Sequence, residues 1–229
     1  MIISHTHKFI FIKTEKTAGT SLELALSAIC GEADIITPIA KADEDYRQSL
    51  GIRGAQNFLF PFSSYSLKDW NDFLRSRQRP GFYNHISARE IKRHISHEMW
   101  STYYKFCFER NPFDKFLSWY DWSTKDEKKP SIAEFIDAGR AHLVKGFDLY
   151  SEGQKPVVDK VFKYEEMDKA LTEISETLKL PEPIQLPEKK LKSHTRKTTA
   201  HYSEVLRKAE ADRLSKIFAR ELVLFDYRF

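Results

Sequence analysis

The chain has few of the residues that would support a disulfide framework, a metal cluster or a membrane span. Only two cysteines occur among its 229 residues, Cys30 and Cys107, and each lies in an apolar stretch. Both are therefore expected to be buried thiols. No apolar run approaches the ~18 residues of a membrane-spanning helix, and the N-terminus lacks a signal-peptide pattern. These absences predict a soluble, cytoplasmic protein, although a fragment trimmed from a longer protein would look the same.

A strong charge of either sign is also missing. The chain carries 37 Lys and Arg against 33 Asp and Glu, a net charge of +4. No basic run is long enough to act as a nucleic-acid-binding tail, so we expect no nucleic-acid partner. A small excess of positive charge is nevertheless compatible with a local site for a small anion.

Short apolar stretches alternate with amphipathic ones along the chain. "KFIFIK" (8–13), "TYYKFCFER" (102–110) and "VDKVFKYE" (158–165) have strand patterns, and helical patterns follow each of them. Strands that alternate with helices predict an α/β fold. We expect a mostly parallel sheet flanked by helices, in a single domain that spans residues 1–229.

Helix signals are clearest where a capping residue precedes an amphipathic stretch. "SLKDWNDFLRSR" (66–77) predicts a helix, and Ser87 and Glu90 have capping-box spacing. Residues 131–150 are predicted to be helical, and residues 201–222 to form one long C-terminal helix. Residues 41–65 are expected to be irregular.

The stretch "FIKTEKTAGTS" (11–21) places a lysine, a glycine and several hydroxyls between an apolar strand and a helix. The first N–H groups of a helix lack intrahelical partners and carry partial positive charge, so this junction suits an anion. We expect Gly19 to let the backbone approach the anion closely and Lys16 to add a mobile full charge. The lysine precedes the glycine and residue 14 is Thr, so this is not a Walker A loop, which disfavours a magnesium-dependent nucleotide kinase.

A second candidate anion element is "FCFERNPFDKFLSWY" (106–120). Arg110 ends an apolar strand, so its guanidinium is expected at the carboxyl edge of the sheet, where open α/β sheets bind ligands. An arginine binds phosphate through charge-assisted and often bidentate hydrogen bonds. Ser118 shares a helix flank with Asp114 and is predicted to face the same ligand.

These two elements resemble those of sulfotransferases that use 3′-phosphoadenosine 5′-phosphosulfate (PAPS), and the carbohydrate or heparan branch most closely. "KTAGTS" is similar to the family's 5′-phosphosulfate loop, here 13–21. The Arg–Asn–Pro element is similar to the one in which an arginine, and a serine eight residues later, hold the 3′-phosphate. The resemblance is weaker in 158–171, in the ending "LFDYRF" and in the basic loop "KSHTRK" (192–197). It departs at Lys115, where an arginine is frequent, and at Thr14, where a histidine or proline is frequent.

The resemblance implies a P-loop-like sulfotransferase fold, PAPS as co-substrate, no metal, and a variable acceptor-side region at about 35–100. The implied donor-binding residues are Lys16, Thr17, Ala18, Gly19, Thr20, Ser21, Arg110 and Ser118, with Lys192, Arg196 and Lys197 as candidates from the basic loop.

An alcohol acceptor also needs a general base. Related carbohydrate sulfotransferases place a catalytic histidine between the two phosphate elements, which makes His85 the first candidate and Lys16 its catalytic partner. A histidine with a pKa of about 6.5 can accept a proton at neutral pH. Glu23 is the second candidate for the base, whereas Glu90 fits better as a helix cap. His94 and His97 are expected to be solvated helix-end residues.

The sequence thus favours an enzyme that transfers a sulfuryl group from PAPS to a hydroxyl, in particular that of a sugar or glycoconjugate. Two alternatives stay open: a P-loop-like nucleotide kinase, and a nucleotide-binding module without transfer activity. The acceptor and the oligomeric state are not predicted. Four aromatic residues are candidates either for stacking on sugar rings or for core packing: Tyr65, Trp70, Trp119 and Trp122.

Overall fold

In the computed structural model, the described residues are 1–125, 128–187 and 200–229. The strands there are β1 (Ile2–Ser4), β2 (Phe9–Ile12), β3 (Ile35–Ile36), β4 (Tyr104–Glu109), β5 (Ser151–Glu152), β6 (Lys155–Pro156) and β7 (Lys160–Lys163). The helices are α1 (Gly19–Ser27), α2 (Lys41–Ser49), α3 (Leu67–Ser76), α4 (Ala88–His94), α5 (His97–Thr102), α6 (Pro112–Ser123), α7 (Ile132–Asp137), α8 (Phe147–Tyr150), α9 (Met167–Thr177), α10 (Tyr202–Val205), α11 (Lys208–Ile217) and α12 (Ala219–Phe225).

The main sheet has the strand order β3–β1–β2–β4–β7 and is mixed. β2, β4 and β7 are parallel to one another, whereas β1 is antiparallel to both β2 and β3. The prediction of a mostly parallel sheet was therefore wrong. The reason lies in "MIISHTHKFIFIK", where only residues 5–8 separate β1 from β2. A link of that length can form a hairpin but not a parallel crossover, which needs about a dozen residues or more.

Both faces of the sheet are covered, because alternate residues of β2 pack into two different clusters. Phe9 and Phe11 face the cluster that contains residues of α1 and α9. Ile10 and Ile12 face the cluster that contains residues of α4 and α8. Each of these four side chains is at most 1% exposed. Burial on both faces leaves the carboxyl edge of the parallel strands as the place where loops meet.

Residues 41–65 contain a helix that the sequence did not reveal. α2 has little apolar periodicity and is anchored instead by Arg47, which is fully buried. The Arg47 Nη1 donates a hydrogen bond to Ser27 Oγ of α1 at 3.1 Å. A polar anchor of this kind leaves no hydrophobic pattern in the sequence.

Two long helices were predicted where the structure has several short ones. Residues 131–150 form α7, a 3₁₀ turn and α8, because Gly139 adopts a left-handed conformation (φ 71°) after α7. Residues 201–222 are divided among α10, α11 and α12. Within the described ranges, no helix combines the length and the apolar character needed to cross a membrane.

Candidate functional site

The loop between β2 and α1 is held in a fixed and partly left-handed conformation. Lys16 (φ 62°) and Ala18 (φ 56°) have positive φ values that non-glycine residues rarely adopt. The Thr14 hydroxyl donates to the carbonyl of Phe108 in β4, and Thr14 Oγ1 lies 2.9 Å from Thr17 Oγ1. The Thr17 hydroxyl, which also donates to the Thr14 carbonyl at 3.2 Å, is therefore engaged inside the loop.

The start of α1 has no side-chain cap, since Ala18 occupies the N-cap position. First-turn N–H groups of a helix have no intrahelical acceptor, so this end is open to an anion. At Gly19, an added Cβ would lie 2.7 Å from Cγ of Lys13. In this structure the glycine therefore makes room for the Lys13 side chain, and its predicted approach to an anion stays a prediction.

Lys13 and Glu23 form a buried ion pair behind the loop. Their side chains are 4% and 0% exposed, and Lys13 Nζ also lies 3.4 Å from Thr20 Oγ1. Burial alone would raise the pKa of Glu23, but the Met1 ammonium and Lys13 together lower it to about 2. Glu23 is thus an ionised and fully engaged carboxylate, which makes it a poor general base.

His85 lies in a left-handed conformation (φ 58°) just before α4. Its Nδ1 is 2.9 Å from the carbonyl oxygen of Lys13. Because a carbonyl can only accept, Nδ1 carries the proton and Nε2 carries the lone pair. Burial and then the charge of Lys13 lower the pKa of His85 to about 4. At neutral pH the imidazole is therefore uncharged, with Nε2 able to accept a proton.

Arg110 follows β4 and is fixed between the loop and the end of β7. Its Nε donates to Asp114 Oδ2 at 2.7 Å, its Nη2 pairs with the same carboxylate, and its Nη1 donates to the carbonyl of Lys16 at 3.0 Å. Its Cζ lies 4.4 Å from the ring centroid of Tyr164. Within the described part of the chain, these contacts use three of the five N–H groups of the guanidinium.

Lys16 extends along one face of α6. Its carbonyl contacts Arg110, and its Nζ lies 5.2 Å from the ring centroid of Trp122. Asp114, Ser118 and Trp122 follow one another at intervals of four residues, so they share this helix face. Lys16 and Arg110 therefore lie beside the α6 face that also carries Ser118, and their predicted roles in binding stay a prediction.

Glu109 is a residue of the site that sequence reasoning missed. It is fully buried; its Oε1 accepts from Lys115 Nζ at 2.8 Å and from the Arg110 main-chain N–H at 2.9 Å. Its Oε2 accepts from the Tyr150 hydroxyl at 3.1 Å. The departure noted at Lys115 is thus half of a buried ion pair. A signal was present, because a charge within an apolar strand requires a partner.

Several other predictions concern residues away from the contacts above. Lys192, Arg196 and Lys197 lie outside the described residues. His94 was expected to be solvated, but it is buried and stacks on Phe60 with ring centroids 3.6 Å apart. Among the residues described here, no group of three or more His, Cys, Asp or Glu side chains could hold a metal ion.

The fold and this edge of the sheet together define an α/β protein with two basic side chains, Lys16 and Arg110, in the segments that follow β2 and β4. The model of the sulfotransferase family matches residues 1–148, which include the loop, His85 and the Arg110–Ser118 element, and the chain belongs to this family. An uncharacterized protein of Archaeoglobus fulgidus is 25% identical over 104 residues, which cover 43% of this chain and 87% of that protein.

Proposed function

We propose that residues 1–229 act as one sulfotransferase domain of the carbohydrate branch, which moves a sulfuryl group from PAPS to a hydroxyl of a sugar or glycoconjugate. One observation carries the proposal. His85 and Arg110, which are 25 residues apart, contact the main chain of the same short loop, at Lys13 and Lys16 respectively. A candidate base and a candidate phosphate ligand therefore converge on the segment that is expected to hold the sulfated end of the donor.

The donor set fits a nucleotide with an anionic group at each end. Arg110 and Ser118 would hold the 3′-phosphate; Arg110 contacts Asp114 and the Lys16 carbonyl, and Ser118 follows Asp114 by four residues on α6, so Asp114 and Ser118 lie on the same helix face. The loop and the start of α1 would hold the 5′-phosphosulfate, through the Lys16 ammonium, the main chain of Thr17 and Ala18, and the first helical turn. That turn contains Gly19, Thr20 and Ser21. These are charge-assisted contacts that need no metal.

The proposed transfer requires a proton acceptor for the hydroxyl and a positive group beside the departing phosphate. When bound, PAPS supplies a sulfuryl group on a phosphate that can leave. His85 would take the proton of the acceptor hydroxyl at Nε2, a role typically worth about 10²–10⁴ in rate. The Lys16 ammonium would neutralise the negative charge that appears on the departing phosphate, as cationic groups do in phosphoryl transfer.

A sugar acceptor is supported by an aromatic surface in residues 62–70. Phe62, Tyr65 and Trp70 lie with ring centroids 5.0–6.0 Å apart, and Trp70 is 42% exposed. The extended segment before Phe62 pairs with the extended segment before His85. The Phe82 N–H donates a hydrogen bond to the carbonyl of Phe58 at 2.7 Å. Exposed aromatic faces suit the apolar faces of a sugar ring.

Calorimetry with adenosine 3′,5′-bisphosphate in a chelator tests the donor site. Metal-free binding is expected, and no binding would refute the proposal, whereas binding that requires Mg²⁺ would favour a nucleotide kinase. Turnover is tested with sulfate-labelled PAPS and pools of glycan acceptors, with mass analysis of the product. His85→Ala should keep nucleotide affinity and lose transfer; no transfer by the wild type to any acceptor would favour a binding module.

A further inference from the structure

The residue just before Lys16 is paired with a distant segment of main chain. The Glu15 N–H donates to the carbonyl of Lys145 at 3.2 Å, and the Lys145 N–H donates to Glu15 Oε2 at 2.7 Å. These two hydrogen bonds join positions 130 residues apart. They fix the loop between β2 and α1 at Glu15, two residues beyond the Lys13 carbonyl that His85 contacts.

The same segment also reaches the Arg110 element. Tyr150, the last residue of α8, donates its hydroxyl to Glu109 Oε2, and Glu109 Oε1 accepts from the main-chain N–H of Arg110. Tyr150 and Glu109 are both fully buried. Residues 145–150 are therefore hydrogen-bonded to the loop at one end and, at the other end, to Glu109, the residue before Arg110.

Gly146 lets this stretch lie directly on the ion pair between Glu109 and Lys115. An added Cβ at Gly146 would lie 2.2 Å from Lys115 Nζ and 2.8 Å from Glu109 Oε2. Both of these side chains are buried, at 2% and 0% exposure, so neither can move aside into solvent. Any side chain at residue 146 would push the stretch away from Glu109.

We propose that residues 145–150 form a clasp that sets the spacing between the Lys16 loop and Arg110, with Glu15 and Gly146 as positioning residues for the nucleotide donor. The inference rests on the proposed function, because it assumes that these two elements hold the two ends of one nucleotide. None of the clasp contacts involves a group assigned to touch that nucleotide.

The clasp has a thermodynamic signature that a merely structural role lacks. A ligand with two anionic groups gains affinity when the two elements are already at the right separation, since binding at one then presents the other at high effective concentration. A ligand with one anionic group gains nothing from that separation. Loss of the clasp should therefore weaken the binding of a ligand with two anionic groups more than the binding of a ligand with one.

The test measures three dissociation constants by calorimetry on the full chain, for adenosine 3′,5′-bisphosphate, adenosine 5′-monophosphate and adenosine 3′-monophosphate. Glu15→Ala removes the acceptor of the Lys145 N–H. It should raise the dissociation constant of the bisphosphate about tenfold and change that of each monophosphate less than about threefold. Glu15→Gln should restore the wild-type constants, because its amide oxygen accepts the same hydrogen bond. Lys145→Ala is the matched control, since only the Lys145 main chain takes part.

Gly146→Ala supplies a second variant and should show the same selective loss, with thermal unfolding monitored in parallel. If Glu15→Ala loses affinity equally for all three ligands, or if Glu15→Gln behaves like Glu15→Ala, the clasp proposal is refuted and the proposed function is unaffected. A wild-type protein that binds the bisphosphate no more tightly than either monophosphate would refute the proposed function, and the clasp with it.

Discussion

Replacing Arg110 with lysine tests the donor site most directly, because it keeps the positive charge and removes the planar guanidinium, whose N–H groups form a fork. The fork at present spans Asp114 and the Lys16 carbonyl. An ammonium cannot reproduce this planar arrangement. A hydrogen bond to a charged group is worth about 1.5–3 kcal/mol, so losing one such bond to phosphate should raise the dissociation constant of adenosine 3′,5′-bisphosphate about 10- to 150-fold.

Asp114→Asn is the matched control, and it should act in the opposite direction. The asparagine oxygen still accepts a hydrogen bond from Arg110, but the negative charge that competes with phosphate is gone. We expect a dissociation constant equal to or lower than that of the wild type. Calorimetry at fixed salt measures both variants, since surface charge effects depend on ionic strength.

The reasoning fails if Arg110→Lys binds the bisphosphate within about twofold of the wild type while its melting temperature is unchanged. In that case the 3′-phosphate would not use the guanidinium fork. It also fails if Asp114→Asn weakens binding as much as Arg110→Lys. The carboxylate would then be needed to orient the arginine more than it competes with the ligand.

Further outcomes follow from the buried side chains behind the loop between β2 and α1. Burial and the charge of Lys13 lower the pKa of His85 to about 4, so an NMR titration of the ligand-free protein should show its inflection there, and one near 6.5 would contradict the geometry. Since this folded-state pKa lies below the unfolded value, the stability contribution of neutral His85 is present above about pH 6.5 and is lost as pH falls toward 4. Lys13→Met leaves Glu23 buried without one partner and should lower the free energy of unfolding by about 3–5 kcal/mol in urea titrations, whereas a loss below 1 kcal/mol would argue against the pair. Gly19→Ala should cost about 1–3 kcal/mol by the same assay, because its Cβ meets the buried Lys13 stem, and an unchanged stability would show that the stem can move.

Local signals in the sequence predicted local structure well. Ser66 and Ser87 accept from the N–H groups of Asp69 and Glu90, at the helix starts that the sequence predicted. β1 was not predicted as a separate strand, because it is only three residues long, and the hairpin that makes the sheet mixed was missed with it. α2 was missed because a buried arginine, and not an apolar stripe, holds it in place.

The site was predictable to the extent that its residues belong to contiguous motifs. Lys16 and Arg110 stand in such motifs, and the structure brings them into contact. The pairing of Glu15 with Lys145 could not be predicted, since one partner in each hydrogen bond is main chain and carries no sequence signal. The partnership of Glu109 and Lys115 could have been suspected, because two opposite charges occupy otherwise apolar faces of adjacent elements.

The position of the Lys16 ammonium over Trp122 has a practical consequence. An indole's emission responds to a nearby positive charge, and Trp122 stacks on Trp119 with ring centroids 5.2 Å apart. A nucleotide that draws the ammonium toward its phosphosulfate would change that emission without any added dye. Under the proposed function, Trp122 fluorescence should change when the nucleotide binds, and Trp122→Phe should remove that change while leaving the heat of binding in place.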